Sequence, residues 1–215
     1  MRAASIVLAT RNRGKVAELR QVLEPLGVSV RSIEDFGDIP EPEETGDTFA
    51  ANARDKALYY AGATGRWCLA DDSGLSVDAL DGAPGVWSAR YAADAAGPGA
   101  SRGQIDTANN ARLLAELAEV PDDRRTARFV CHLALAEPGR VLLEAHGTVE
   151  GRIGHEPAGE NGFGYDPLFL VPALGRTTAQ LPPEEKNRIS HRGRAVREFV
   201  GKLQSLIQSG PDRSG

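Results

Sequence analysis

The sequence predicts an α/β protein built on a mixed β-sheet, and three stretches predict it. Ile6-Val7-Leu8-Ala9 is an apolar run followed at once by a turn and an amphipathic pattern, which is how a buried strand hands the chain to a helix. Trp67-Cys68-Leu69-Ala70 is a second buried run, ending in two adjacent carboxylates, Asp71 and Asp72. Phe129–Ala136 and Val141–Val149 are long strand candidates joined by Glu137-Pro138-Gly139-Arg140, a hairpin with a four-residue connection. The opening favours parallel strands and the hairpin demands antiparallel ones, so the sheet is expected to be mixed.

After the first strand, Thr10-Arg11-Asn12-Arg13-Gly14-Lys15 leads into Val16, Leu19, Val22, Leu23 and Leu26 at helical spacing, closed by Gly27. Free N–H groups at the helix start and the positive end of its dipole favour an anion there, and Lys15 adds a full charge. The alternative is an ordinary turn with a solvated lysine. A Walker loop is excluded: Ala9 stands at the first glycine position and Val16 where the metal-binding hydroxyl would be. A second strand, Val28–Ile33, runs into the acidic loop Asp38–Gly46 with Glu41, Glu43 and Glu44. Gly46-Asp47-Thr48 starts a helix with Phe49, Ala53, Ala57 and Tyr60 on one face; Asn52 and Lys56, four apart, share another and reach one ligand or solvent.

Asp71 and Asp72, followed by Ser73-Gly74, either cap a turn through their side chains or hold a hard divalent cation, which Mg²⁺ allows with one or two carboxylates plus water and phosphate oxygens. Asp81-Gly82-Ala83-Pro84-Gly85 is turn chemistry, and Ala92–Gly103 reads as a mobile loop before a helix at Ile105–Leu117 carrying Ala108, Leu114 and Leu117, stopped by Pro121. In Gly159–Phe169, glycines that permit close approach to a ligand flank Phe163 and Tyr165, whose rings either stack on a base or pack in a turn. Pro182-Pro183-Glu184-Glu185-Lys186 begins a helix, and Ile189-Ser190-His191-Arg192-Gly193 precedes a terminal helix with core residues Val196, Phe199, Val200, Leu203 and Leu206.

At 215 residues the chain suits a single domain, set here at 1–208 with a flexible tail at 209–215. Against 25 basic residues stand 30 acidic ones, so no broad attraction to nucleic acid or an anionic membrane is expected, and phosphate binding must be local. Lysine is scarce: Lys15, Lys56 and Lys186 fall in the suggestive segments and Lys202 in the terminal helix. Cys68 and Cys131 lie in apolar runs without CxxC spacing and read as buried thiols. No run approaches the ~18 apolar residues of a membrane span, and no extended apolar signal precedes Ser5, so a cytoplasmic protein is expected.

Five stretches in order, ATRNRGK, EETGDTFAANARDKA, LADDSGLSVDALDGAPGVWSARYA, GFGYDPLF and EEKNRISHRG, resemble the inosine/xanthosine triphosphate pyrophosphatase family, from about Ile6 to Phe199. The resemblance implies an elongated, two-lobed α/β fold with a central mixed sheet flanked by helices, a site in the cleft between lobes, and a homodimer. It implies Mg²⁺-dependent hydrolysis of ITP, dITP, XTP and dXTP to monophosphate and pyrophosphate, cleansing the nucleotide pool. Carried over by motif, Thr10, Asn12 and Lys15 of the turn around Gly14 would bind phosphates, with Lys56 assisting. Arg11 and Arg13 replace the small or apolar residues of the commoner form and would strengthen that attraction. Asp72 would be proton acceptor and metal ligand, Ser73 would contact substrate, Asp71 would support the cluster, and Glu43 or Glu44, with Glu44 favoured, would supply the other metal carboxylate. Phe163, Gly164, Tyr165 and Asp166 would cradle the nucleoside; Lys186, His191 and Arg192 would face the base.

The chemistry suits these residue types. Cleaving an α–β phosphoanhydride needs cations against spreading negative charge and a base for the attacking water. A bound metal would lower the pKa of Asp72 and crowding by Asp71 would raise it. Hypoxanthine and xanthine carry a 6-oxo acceptor where adenine carries an amino donor, so donors at the base select against ATP; rejecting GTP requires a further penalty on its 2-amino group.

Overall fold

The computed structural model describes residues 5–11 and 13–209. Asn12 and residues 210–215, hence most of the expected tail, lie outside them, and of Arg13 and Gly14 only the helical backbone is described. In chain order the regular elements are β1 (Ser5–Leu8), α1 (Arg13–Leu23), β2 (Ser29–Ser32), α2 (Phe49–Thr64), β3 (Trp67–Val77), α3 (Ala93–Ala96), α4 (Arg102–Glu116), β4 (Thr126–Glu137), β5 (Arg140–Ile153), β6 (Phe169–Val171), β7 (Arg176–Thr177), α5 (Pro183–Ile189) and α6 (His191–Ser209). The described strands form one sheet in the order β2-β1-β3-β4-β5-β6-β7. β1 pairs in parallel with β2 and β3, whereas β6 is antiparallel to β5 and β7. The expected mixed sheet is therefore present, flanked by helices.

By contacts the chain forms two compact units: one of the chain through Asp72, Cys131–Gly147 and the chain from Ala195 on, the other of Ser73–Val130 and Thr148–Arg194. In the first, the pleat sorts side chains by size. Ile6, Leu8, Leu69, Leu133 and Leu135 face Leu19 and Leu23 of α1 and Val196, Phe199 and Leu203 of α6. Their alternates Val7, Cys68, Ala70, Ala134 and Ala136 face Ala53, Ala57 and Ala61 of α2. Small residues on both sides let the α2 backbone come close to the sheet. The crossovers from β1 to β2 and from β2 to β3 run in opposite directions, so α1 and α2 cover opposite faces.

In the second unit Leu75, Val77, Leu113, Leu117, Phe129, Ile153, Tyr165 and Phe169 make one core. Arg125 is 2 % exposed, and its guanidinium donates to the carbonyls of Leu117, Ile153 and Gly154 at 2.6, 2.9 and 2.8 Å. Those bonds make its burial tolerable.

Four expectations are corrected. β3 does not stop at Ala70 but runs on through Asp71 and Asp72 to Val77, so the acids stand inside a strand rather than capping a turn. The Ala92–Gly103 stretch is not simply a loop: it contains α3, and α4 starts at Arg102 under a capping box between Ser101 and Gln104. The hairpin connection is the two residues Pro138-Gly139, because both strands extend inward. His191, Arg192 and Gly193 are the first turn of α6 rather than a lead-in.

Candidate functional site

The candidate side chains fall into two groups, one in each unit. In the first, β1 and β3 are parallel with Leu8 opposite Leu69, and the Ala9 N–H donates to the Leu69 carbonyl at 2.9 Å. β1 then ends while β3 continues, which sets Thr10 and the start of α1 beside Asp71. Connections leave this point in opposite directions, the kind of switch point where open α/β sheets bind ligands. The pleat then separates the two acids. Asp71, in phase with Leu69, is on the α1 face, where Lys15 Nζ meets its Oδ2 at 2.6 Å. Asp72, in phase with Ala70, is on the α2 face, where Asn52 Nδ2 donates to its Oδ2 at 3.0 Å.

Both acids are buried, Asp71 to 7 % and Asp72 to 9 % exposure. Burial pushes the Asp72 carboxyl up to about 6; the Asn52 bond opposes this, Glu44 and Asp71 add to it, and Lys56 counters them. Asn52 also accepts the Gly46 N–H on Oδ1 at 2.8 Å, so its two amide ends fasten the acidic loop and Asp72 respectively. Any Cβ at Gly46 would lie 2.7 Å from Asn52 Oδ1. Lys56, one turn on, pairs with Glu44 and reaches the Asp71 carbonyl at 3.5 Å. Burial works to lower the Lys56 pKa, but Glu44 overrides it and the net direction is up. Glu43, by contrast, is exposed, so of the two adjacent acids Glu44 faces the cluster. Arg11 is exposed; its guanidinium donates to the Ile39 carbonyl at 2.8 Å and lies 3.4 Å from Asp38 at the start of the acidic loop.

Among the described residues no three carboxylates, histidines or cysteines gather into a ready cation cage. Glu44, Asp71 and Asp72 nonetheless outnumber Lys15 and Lys56 by one charge. They are hard oxygen donors, and Mg²⁺ needs only one or two of them with water and phosphate completing its shell. The residues fit that ion.

In the second unit, Asp166 is 3 % exposed and takes Lys186 Nζ at 2.5 Å, Thr178 Oγ1 at 2.8 Å and the Phe163 N–H at 2.8 Å. It therefore organises the loop and holds Lys186. Gly162, at φ +82°, lies so close that a Cβ would collide with the Asp166 carboxylate. Phe163 is 56 % exposed, with Lys186 Nζ 5.2 Å from its ring centroid. Tyr165 is 4 % exposed, and its hydroxyl donates to the Ser88 carbonyl at 2.9 Å. The His191 ring stacks on Phe129 at 4.9 Å, and Arg192 Nη2 lies 3.5 Å from Ser73 Oγ. Motif reading passed over Asp106 and Asn110, whose side chains bond the Gly164 peptide; the capping box at Ser101 was the only sequence signal that sets the α4 register.

The sequence profile of the Ham1 family matches residues 6–202. This chain belongs to the Ham1 family. It is 52 % identical over 202 residues to the dITP/XTP pyrophosphatase of Exiguobacterium sibiricum, covering 94 % of this chain and 98 % of that one. With the dITP/XTP pyrophosphatase of Desulforamulus reducens it shares 53 % over 201 residues, 94 % and 96 % of the two chains. Among solved Ham1 structures, the HAM1 protein from Coxiella burnetii superposes with a TM-score of 0.85 at 43 % identity, over 94 % of this chain and all (100 %) of that one. The nucleoside-triphosphatase or dITP/XTP pyrophosphatase from Mycobacterium abscessus gives 0.76 at 46 %, over 91 % and 98 %.

Proposed function

We propose that this Ham1 protein is a Mg²⁺-dependent pyrophosphatase that hydrolyses ITP, dITP, XTP and dXTP to monophosphate and pyrophosphate, cleansing the nucleotide pool. One observation carries the reading: the buried Asp72 carboxyl, held by the Asn52 amide, is set among Glu44, Asp71 and two lysines. The names of its relatives support the substrate class.

Asp72 takes a proton from the attacking water. Glu44 and Asp72 would hold the metal, with Asp71 supporting. When bound, Mg²⁺ supplies neutralisation of the phosphate oxygens and lowers the pKa of a ligated water. Lys15 and Lys56 release their carboxylate partners and turn to the triphosphate, while Thr10 and the N–H groups at the start of α1 bind its oxygens. Phe163 stacks on the base, and Lys186, His191 and Arg192 donate toward its oxo groups. A homodimer working in the cytoplasm belongs to the same reading; sedimentation at micromolar concentration tests the assembly.

The deciding experiment is product analysis with ITP, XTP, dITP, GTP and ATP, with and without Mg²⁺. Pyrophosphate and monophosphate from the oxo-purines, absent without metal and weak with ATP and GTP, are expected. Orthophosphate as the first product would move the cleaved bond and overturn the assignment.

A further inference from the structure

Phe163 presents an unusual combination: a large apolar side chain 56 % exposed on a backbone held from both sides. The peptide groups of the next residue, Gly164, are gripped by one helix. Its N–H donates to Asp106 Oδ2 at 3.0 Å, and its carbonyl accepts from Asn110 Nδ2 at 3.0 Å. Asp106 and Asn110 are four apart on α4 and so project from one face of it. Arg102, a turn earlier, lies 3.0 Å from the second oxygen of Asp106 as an ion pair, an oxygen that makes no hydrogen bond. Before Phe163 the chain is fixed again by the bond from its own N–H to Asp166. These bonds confine the direction in which the Phe163 side chain leaves the backbone, an ordering whose entropic cost an exposed ring that buries little does not repay. A stacking platform gains by it, since the order is already present when the ligand arrives.

We propose that Asp106 and Asn110 are positioning residues for base recognition: they lock the Gly164 peptide so that the Phe163 ring is held ready for the purine face. This rests on the reading of Phe163 as the base-stacking group. The two side chains are not interchangeable. Gly164 N–H requires an acceptor at 106, which Asn can supply, whereas its carbonyl requires a donor at 110, which Asp lacks.

The test measures Kd by calorimetry, in Mg²⁺-free buffer, for ITP and for inorganic triphosphate, which has no base. Asp106→Leu and Asn110→Asp are expected to weaken ITP binding roughly fivefold to tenfold, the size of one lost hydrogen bond, and to leave triphosphate binding unchanged. Asp106→Asn is expected to bind ITP like the wild type. In a Phe163→Ala background the α4 substitutions are expected to change the ITP Kd by less than about twofold, because residues acting through one another are not additive. Equal weakening with and without Phe163, or parallel loss of triphosphate binding, would show a general structural role and overturn the proposal. If Phe163→Ala itself leaves the ITP Kd unchanged while triphosphate binds normally, the stacking reading fails and the proposal fails with it.

Discussion

The two units hold their candidate residues by different physics. In the first, charge is matched to charge: Lys15 to Asp71 and Lys56 to Glu44, through ammonium groups that are only partly buried. Under the proposed function such pairs would exchange, a phosphate replacing the partner of each lysine and a divalent cation that of each carboxylate. In the second, Phe163 and the backbone around it are held by a web of directional bonds from Asp166, Asp106 and Asn110, which a ligand does not replace. Three buried aspartates make the contrast concrete. Asp71 and Asp166 each sit on an ammonium at 2.6 and 2.5 Å, whereas Asp72 accepts from the Asn52 amide at 3.0 Å, and burial pushes its pKa up to about 6.

The strongest way to break this contrast is Asp72→Asn, which keeps the shape and the acceptor for Asn52. Turnover at saturating Mg²⁺ should fall on the order of a thousandfold, the scale of general-base catalysis, with the folded state retained; near-normal pyrophosphate release would end the base assignment. Lys15→Ala and Lys56→Ala should each lower kcat/KM by on the order of a few hundredfold, as for removal of one stabilising donor in the transition state. If ITP and inorganic triphosphate suffered unequally, the view that the first unit reads phosphate alone would be wrong.

Metal-free stability gives a sharper comparison. Because the folded Asp72 pKa is above its ordinary 3.8, at about 6, the native state binds the proton more tightly than the unfolded chain. Its contribution is full below pH 3.8 and is lost as pH rises through 6, about 3 kcal/mol in all. Urea midpoints of wild type and Asp72→Asn in EDTA should therefore differ more at pH 7.5 than at pH 4, the variant gaining relative stability on the alkaline side. The smallest effect belongs to the second unit: Phe163→Ala should raise the KM for ITP about tenfold by loss of one stacking contact and leave kcat within about twofold.

Much of this was legible before the fold. The Thr10–Lys15 turn, the acids at 71 and 72, and the Asn52 and Lys56 spacing all came from residue type and local period; whether Phe163 packs or stays exposed did not. What residue type and local period do not show is the partner that a distant segment supplies. Tyr165 reads like Phe163 in sequence, yet its hydroxyl is claimed by Ser88, 77 positions away. Arg11 reads as a phosphate ligand, yet the Ile39 carbonyl, 28 positions on, takes its guanidinium.

By itself the sequence determined the βα opening, the mixed character of the sheet and the kind of chemistry available, because periodicity and side-chain type are local properties. Only the tertiary structure decided which face each acid occupies. The strand continues through Asp71 and Asp72, so the pleat sends one toward α1 and Lys15 and the other toward α2 and Asn52. That division follows from strand length and parallel register, set by contacts between segments far apart in the chain, and it puts Asp72 against the Asn52 amide on the α2 face.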